Sequence, residues 1–208
     1  MIYKDFHYER LDLKKSKSIL NKIISDFKNA DSAKIQIEAI KEVDGFSREY
    51  MTYQAMASLN YSRDINDDSA KNEKDYYDSI SPDMREIYDR FDKVLHQSKF
   101  KSEIIDMFGD TFLNQIEINL KTFDSKIKGM LKEEIELKNE YTKLTAGAKI
   151  EFEGKEYNLA GLGPFHSNVN RSVRKESYEA RFSWFKRNED ELDNIYDKLV
   201  NLRHKIAV

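Results

Sequence analysis

Four histidines, His7, His96, His166 and His204, are the side chains best suited to ligate a transition metal or to move a proton near neutral pH. None lies four residues from another, the spacing that sets two imidazoles on one helical face as zinc ligands. No metal ligand and no catalytic residue is therefore assigned. Each histidine has a structural reading instead: His7 sits in an aromatic arm, His96 near a helix end where a cation complements the dipole, His166 in a turn and His204 on the last helix. There is no cysteine, which removes disulfides, thiol nucleophiles and thiolate metal sites together.

Two further groups could do chemistry. Asp64, Asn66 and Asp68 imitate the alternating oxygen ligands that open a calcium loop, but the sixth position holds Ser69 where a glycine must turn, and the twelfth holds Asp75 where a bidentate glutamate is required. The segment reads as a solvated acidic turn that caps the next helix. Arg171, Arg174, Lys175 and Arg181 form a basic helix face. Their role is either as solvated partners of Glu176 and Glu179 or, for Arg171, Arg174 and Arg181, as contacts to a peptide carboxylate.

These groups must be placed by a chain of 208 residues with 39% hydrophobic and 35% charged residues, two prolines and seven glycines, the composition of a protein rich in long helices. A net charge of −3 with both signs interleaved offers no field for a polyanion, so neither nucleic acid nor an anionic membrane is expected as a partner. The amino terminus lacks a signal peptide's apolar core and no apolar run is long enough to span a bilayer, which points to a cytoplasmic protein.

An aromatic arm, Tyr3, Phe6 and Tyr8, precedes Asp12, which caps a helix over Leu13–Phe27. A second helix follows over Ala33–Tyr61, where Gly45 predicts a bend or a close helix contact. The third, Ala70–His96, is either broken in two or kinked at Ser81-Pro82. Short helices are expected over Phe100–Phe108 and Asp110–Lys121, and a longer one from Asp124-Ser125 to Leu144. The buried side of that longer helix reads as Ile127, Met130, Leu131, Leu137, Tyr141 and Leu144. The small residues Thr145 to Ala148 allow it to approach a neighbour. After a turn over Gly161–Pro164, Asn170 caps a last helical stretch, bent near Asn188. Most tyrosines and phenylalanines read as core.

Between these helices the period changes. Lys149–Glu153 and Glu156–Ala160 alternate apolar and polar residues around Gly154-Lys155, which predicts a β-hairpin with a type II′ turn on that pair. In that register Glu153 opposes Glu156, Phe152 opposes Tyr157 and Ile150 opposes Leu159. The fold class is therefore all-α, a mainly helical array of long antiparallel helices with one inserted β-hairpin near 149–160. The chain reads as a single helical unit over 1–208, with a possible subdivision into 1–123 and 124–208.

The run EYTKLTAGAKIEFEGKEYNLAGLGPF, with NRSVRKESYEARFSWFKRNEDELDNIYDKLVNLRHKIA after it, resembles the oligoendopeptidase F family of zinc metallopeptidases, relatives of thimet oligopeptidase. YKDFHYERLDL, DYYDSISPDM and LKTFDSKI occur in the order of that family's amino-terminal half, so the resemblance covers essentially the whole chain. It implies a soluble peptidase that cuts short peptides in a cleft between two helical halves, 124–208 beginning the cleft-forming region. It also implies zinc held by an HExxH helix and a downstream glutamate. That motif is not in this sequence, so no cofactor is assigned to the chain and the implied zinc belongs to a downstream catalytic half. The alternative function class is a non-catalytic helical module that binds a peptide or protein. The last helix carries an apolar stripe, Leu192, Ile195, Tyr196, Leu199, Leu202 and Ile206, with no stop signal after it, which predicts a patch to be covered by that downstream half.

Overall fold

The apolar spacings that predict helices do produce them, and the ends are set by side chains that bind the first free N–H groups. In the computed structural model, which describes residues 8–207, 80% of the chain is helical and the described residues hold one two-stranded sheet. The order is α1 (Leu13–Asn29), α2 (Ala33–Arg63), α3 (Asp68–His96), α4 (Lys101–Phe108), α5 (Asp110–Thr122), a 3₁₀ turn (Ser125–Ile127), α6 (Lys128–Ala146), β1 (Ile150–Phe152), β2 (Lys155–Tyr157), α7 (Gly163–His166), α8 (Arg171–Arg187) and α9 (Glu189–Ala207). Asp12 Oδ1 accepts from Lys15 N at 2.8 Å, and Asn170 Oδ1 from Ser172 N at 2.9 Å. Tyr3, Phe6 and His7 lie outside the described residues.

The chain divides into two compact units between Lys128 and Gly129. In the first, α1, α2 and α3 pack on one another, α4 on α2, and α5 on α3 and α4. Leu20, Phe27, Tyr77, Met84, Leu95 and Ile104 are fully enclosed, and Phe27 meets Phe91 edge to face at 5.3 Å. Burying one such side chain contributes roughly 1.5–3 kcal/mol. A buried polar chain ties three connections together: Gln36 Nε2 donates to Phe27 O at 3.1 Å, Ser98 Oγ donates to Gln36 Oε1, and Phe100 N donates to Ser98 Oγ at 2.9 Å. The segment before α1 is strapped to α3. Tyr8 OH and Arg10 both donate to the Glu73 carboxylate, and Leu11 N donates to Tyr77 OH at 3.2 Å.

Pro82 lies inside α3, which continues through it as one helix. Proline has no N–H for the carbonyl of Asp78 one turn back, and the Ser81 hydroxyl donates to that oxygen at 3.1 Å in its place. Gly45 sits in the exposed middle of α2, and a Cβ built there meets nothing within 4 Å. The expected close helix contact is absent, since no neighbouring backbone approaches this side of α2. The acidic turn before α3 is occupied by capping: Asp64 Oδ1 accepts from Asn66 N, and Asp67 Oδ1 from Ser69 N and Ala70 N.

In the second unit the hairpin carries the packing. Its register pairs Ile150 with Tyr157, Glu151 with Glu156 and Phe152 with Lys155. The turn residues are thus Glu153-Gly154, with φ of 49° and 73°, the pair of positive values of a type I′ turn. This corrects the expected turn on Gly154-Lys155 by one residue, because an X-Gly pair matches the strand twist as well as a Gly-X pair does. Phe152 and Tyr157 nevertheless share a face: Phe165 packs edge-on to both, at 5.0 and 5.2 Å. Ala148, Ile150, Leu162 and Trp184 close this small core, with α8 laid across β1. Gly161–Pro164, expected as a turn, leads into the short α7. Tyr141, read as a buried residue of α6, is 48% exposed, and Leu137 is that helix's buried side chain. At the junction of α6 and β1, Ala148 is buried, while Gly147 abuts only the Lys143 and Leu144 carbonyls of the preceding helix. On α9, Ile195 and Leu202 are buried but Tyr196 is 66% exposed. Arg203 bonds Glu134 of α6 at 2.9 Å.

Candidate functional site

The helical period places Arg171, Arg174, Tyr178, Arg181 and Phe182 within roughly a 100° arc of α8. Ser177 and Trp184, the residues α8 buries, lie beyond the Arg181 edge of that arc. The three arginines singled out by their spacing share one face, on which Arg171 is exposed and Arg174 and Arg181 are half-buried, and their roles differ. Arg174 Nη1 donates to the carbonyls of Asn168 and Val169 at 2.6 and 3.1 Å, so its guanidinium fixes the loop entering α8. Arg181 lies over the Phe185 ring at 5.8 Å. Arg171 is the first, exposed residue of the helix.

The aromatic members of this face were hidden by the general reading of tyrosine and phenylalanine as core. Tyr178 is 46% and Phe182 63% exposed. His166, at the end of α7, stacks on Tyr178 at 4.2 Å between centroids and 14° between planes, and Tyr178 is followed by Phe182 at 6.3 Å and 20°. The signal available in the sequence was the i, i+4 spacing of Tyr178 and Phe182 with Arg171, Arg174 and Arg181 at spacings of three and seven, which marks one stripe of α8 but does not say whether anything packs on it.

The other described histidines lie on other helices. His96 is in the last turn of α3, in the other unit, and His204 is exposed in the last turn of α9. Nε2 of His166 is buried without a hydrogen-bond partner, its ring face taken up by Tyr178. Among the described residues no group of three or more His, Cys, Asp or Glu side chains is arranged to hold a metal ion. The donor set among the described residues does not fit the zinc that the family implies.

Residues 3–123 match the model of the Peptidase M3 N-terminal domain. The chain belongs to the M3 peptidase family. The likeness extends beyond that domain, because three solved structures superpose on 99–100% of the chain. A crystal structure assigned as oligoendopeptidase F matches with 37% identity and a TM-score of 0.94, covering 100% of this chain and 37% of its own. PZ peptidase A, solved with an inhibitor, matches at 35% identity and 0.94, covering 99% and 37%. An oligoendopeptidase F assigned in Bacillus anthracis matches at 32% and 0.93, covering 100% and 38%. No curated protein matches. This M3 chain thus corresponds to the amino-terminal portion of an oligoendopeptidase F and spans little more than a third of the length of these structures. Among its described residues no helix is long and apolar enough to cross a membrane.

Proposed function

We propose that the chain is the amino-terminal part of a cytoplasmic, zinc-dependent oligoendopeptidase that hydrolyses short peptides, supplying cleft wall and size selection and remaining inactive by itself. The observation that supports this reading is the superposition of the whole chain, helices and hairpin alike, on the oligoendopeptidase F structure at 37% identity. Residues 1–123 would then be a helical subdomain, and 124–208 the start of the region that forms the cleft. Zinc, with its ligands and the general base, belongs to a downstream catalytic half. When bound there it supplies Lewis acidity and an activated water. Arg171 and Arg181 would contact the peptide, and Arg174 would hold the loop beside them while lending its charge.

A second reading, a non-catalytic peptide- or protein-binding module, is favoured by the exposed side chains of Arg171, Tyr178 and Phe182 on α8. The downstream reading frame separates the two. A frame that continues into an HExxH helix, with the joined polypeptide cleaving a quenched fluorescent peptide in a chelator-sensitive way, carries the peptidase reading. A stop directly after Val208 selects the binding module. Chelator-sensitive cleavage by the pure 208-residue chain would overturn the assignment of its histidines.

A further inference from the structure

We propose that the outward stripe of α8 from Arg171 to Phe182 is a specificity-determining strip for an extended peptide that presents an aromatic side chain beside a carboxylate. This rests on the reading of the chain as the peptide-handling part of an oligopeptidase, and it adds the chemistry of the peptide. The first support is the aromatic ladder. His166, Tyr178 and Phe182 lie nearly parallel, at 14° and 20°, and the outer ring, Phe182, is 63% exposed. A row of rings with open faces accepts a further ring by offset stacking.

The second support is charge. On a chain of net charge −3, every charged side chain within the stripe is cationic. Of the acids of α8, Glu176 projects from the opposite side, while Glu179 flanks the stripe about 60° beyond Phe182 and is paired with Lys175 at 3.6 Å. Arg174 is held by two carbonyls and by no carboxylate, so its charge is undiminished for a ligand. The third is length. Ten residues of α-helix separate Arg171 from Arg181, about 15 Å of rise, which an extended peptide of about five residues spans. A single-stranded oligonucleotide could also use rings and arginines, but the overall negative charge disfavours it.

The test uses the whole chain and fluorescence anisotropy of a fluorescein-labelled hexapeptide carrying phenylalanine and a free carboxyl-terminal aspartate. Its comparison probes are an Asn-amide version, a Phe-to-Ala version and a labelled hexanucleotide. The acidic aromatic peptide is expected to bind tightest, with the amide version weaker by about tenfold, the scale of one charge-assisted hydrogen bond. Arg171→Glu with Arg181→Glu should weaken binding by about tenfold or more, and Phe182→Ala by about two- to tenfold. Phe182→Tyr should restore binding, and Arg63→Glu on α2 should leave it unchanged. Unaltered circular dichroism and Tm show that the variants fold. Equal binding of acid and amide probes, no loss in the double variant, or preference for the hexanucleotide would each overturn the proposal. So would loss of probe binding on joining the downstream half, because the strip would then be an internal interface. Peptide preference lost while the joined polypeptide still cleaves removes the strip alone, whereas strip binding without cleavage removes the peptidase reading alone.

Discussion

The two units are both mainly helical, yet they differ in how far their apolar side chains are withdrawn from water. In the first, Leu20, Phe27, Tyr77, Met84, Leu95 and Ile104 come from three helices and belong to one core. In the second, the enclosed residues gather where α8 crosses β1, around Trp184, while Tyr141, Tyr178, Phe182, Tyr196 and Val200 face solvent. Amphipathic spacing is equally good in both. The first unit covers most of its apolar side chains and leaves some, such as Met51 and Met107, open, whereas the shorter second unit leaves as many large apolar side chains exposed, which is where binding or assembly is expected.

Trp184 makes the difference measurable, because it is the chain's one tryptophan and is 5% exposed in the second core. Its fluorescence reports that unit, whereas far-UV circular dichroism is weighted to the longer helices of the first. The largest expected effect is Leu95→Ala, at a residue of 0% exposure. It should cost roughly 2–5 kcal/mol, moving the urea midpoint read by circular dichroism and leaving the Trp184 midpoint in place. Phe182→Ala should cost no more than about 0.5 kcal/mol by either probe. Midpoints that shift together in Leu95→Ala would break the comparison by showing one cooperative unit.

The next effect concerns pH and belongs to the first unit. Burial pushes Asp92 up to about 6, only partly offset by the Asn119 amide at 3.3 Å and by Arg85, while Asp89 adds to the rise. A raised carboxylate costs the folded state while it is ionised. Stability should therefore increase as pH falls from about 6 towards 4, where the folded form holds a proton that the unfolded form has released. Glu73, held low by Arg10, and Asp83, where hydrogen bonds from Lys128 and Lys17 outweigh the effect of burial, act in the opposite sense. Their contribution is present above about pH 4 and is lost below it. Asp92→Asn should flatten the rise between pH 6 and 4 and stabilise the unit at pH 7 by about 1 kcal/mol, allowing for solvent screening. Denaturant titrations across this range read it, and an unchanged slope would remove Asp92 as its source.

A gain of about 0.5–1 kcal/mol is expected from Gly45→Ala. The position is helical and exposed, so an added methyl group meets nothing within 4 Å and the unfolded chain loses freedom. Circular dichroism should report the gain and Trp184 should not. A loss would mean that a partner approaches α2 at this point.

Helix positions were legible because apolar spacing and caps such as Asp12 and Asn170 are local. Pro82 was ambiguous for a local reason too: Ser81 can cap a new helix or donate back to Asp78, and the two look alike in the sequence. Within the candidate site the arginines were legible and the aromatics were not, since Tyr178 and Phe182 have the spacing of core residues and only the missing neighbour makes them surface. The hairpin was visible from its alternation, but its register was not, because a turn on Glu153-Gly154 and one on Gly154-Lys155 both put Phe152 and Tyr157 on the face that meets Phe165.

That register supplies the smallest and most discriminating effect. Glu153 has φ of 49°, a left-handed conformation in which a side chain other than asparagine, aspartate or glycine is disfavoured. Glu153→Asn should relieve part of that cost and raise the Trp184 midpoint by about 0.5 kcal/mol, within the range by which one residue's left-handed penalty varies. The sign carries the information. With a turn on Glu153-Gly154, asparagine occupies the position that type I′ turns favour. With a turn on Gly154-Lys155, residue 153 would be the last residue of a strand, where asparagine is among the poorer choices, and the same substitution would lower the midpoint. Because Phe152, Tyr157 and Trp184 share one small core, a register that moves by one residue changes which residue opposes Tyr157 and the support beneath α8. A lowered Trp184 midpoint would therefore revise the packing that presents the aromatic ladder, whereas the Leu95→Ala result in the first unit would stand.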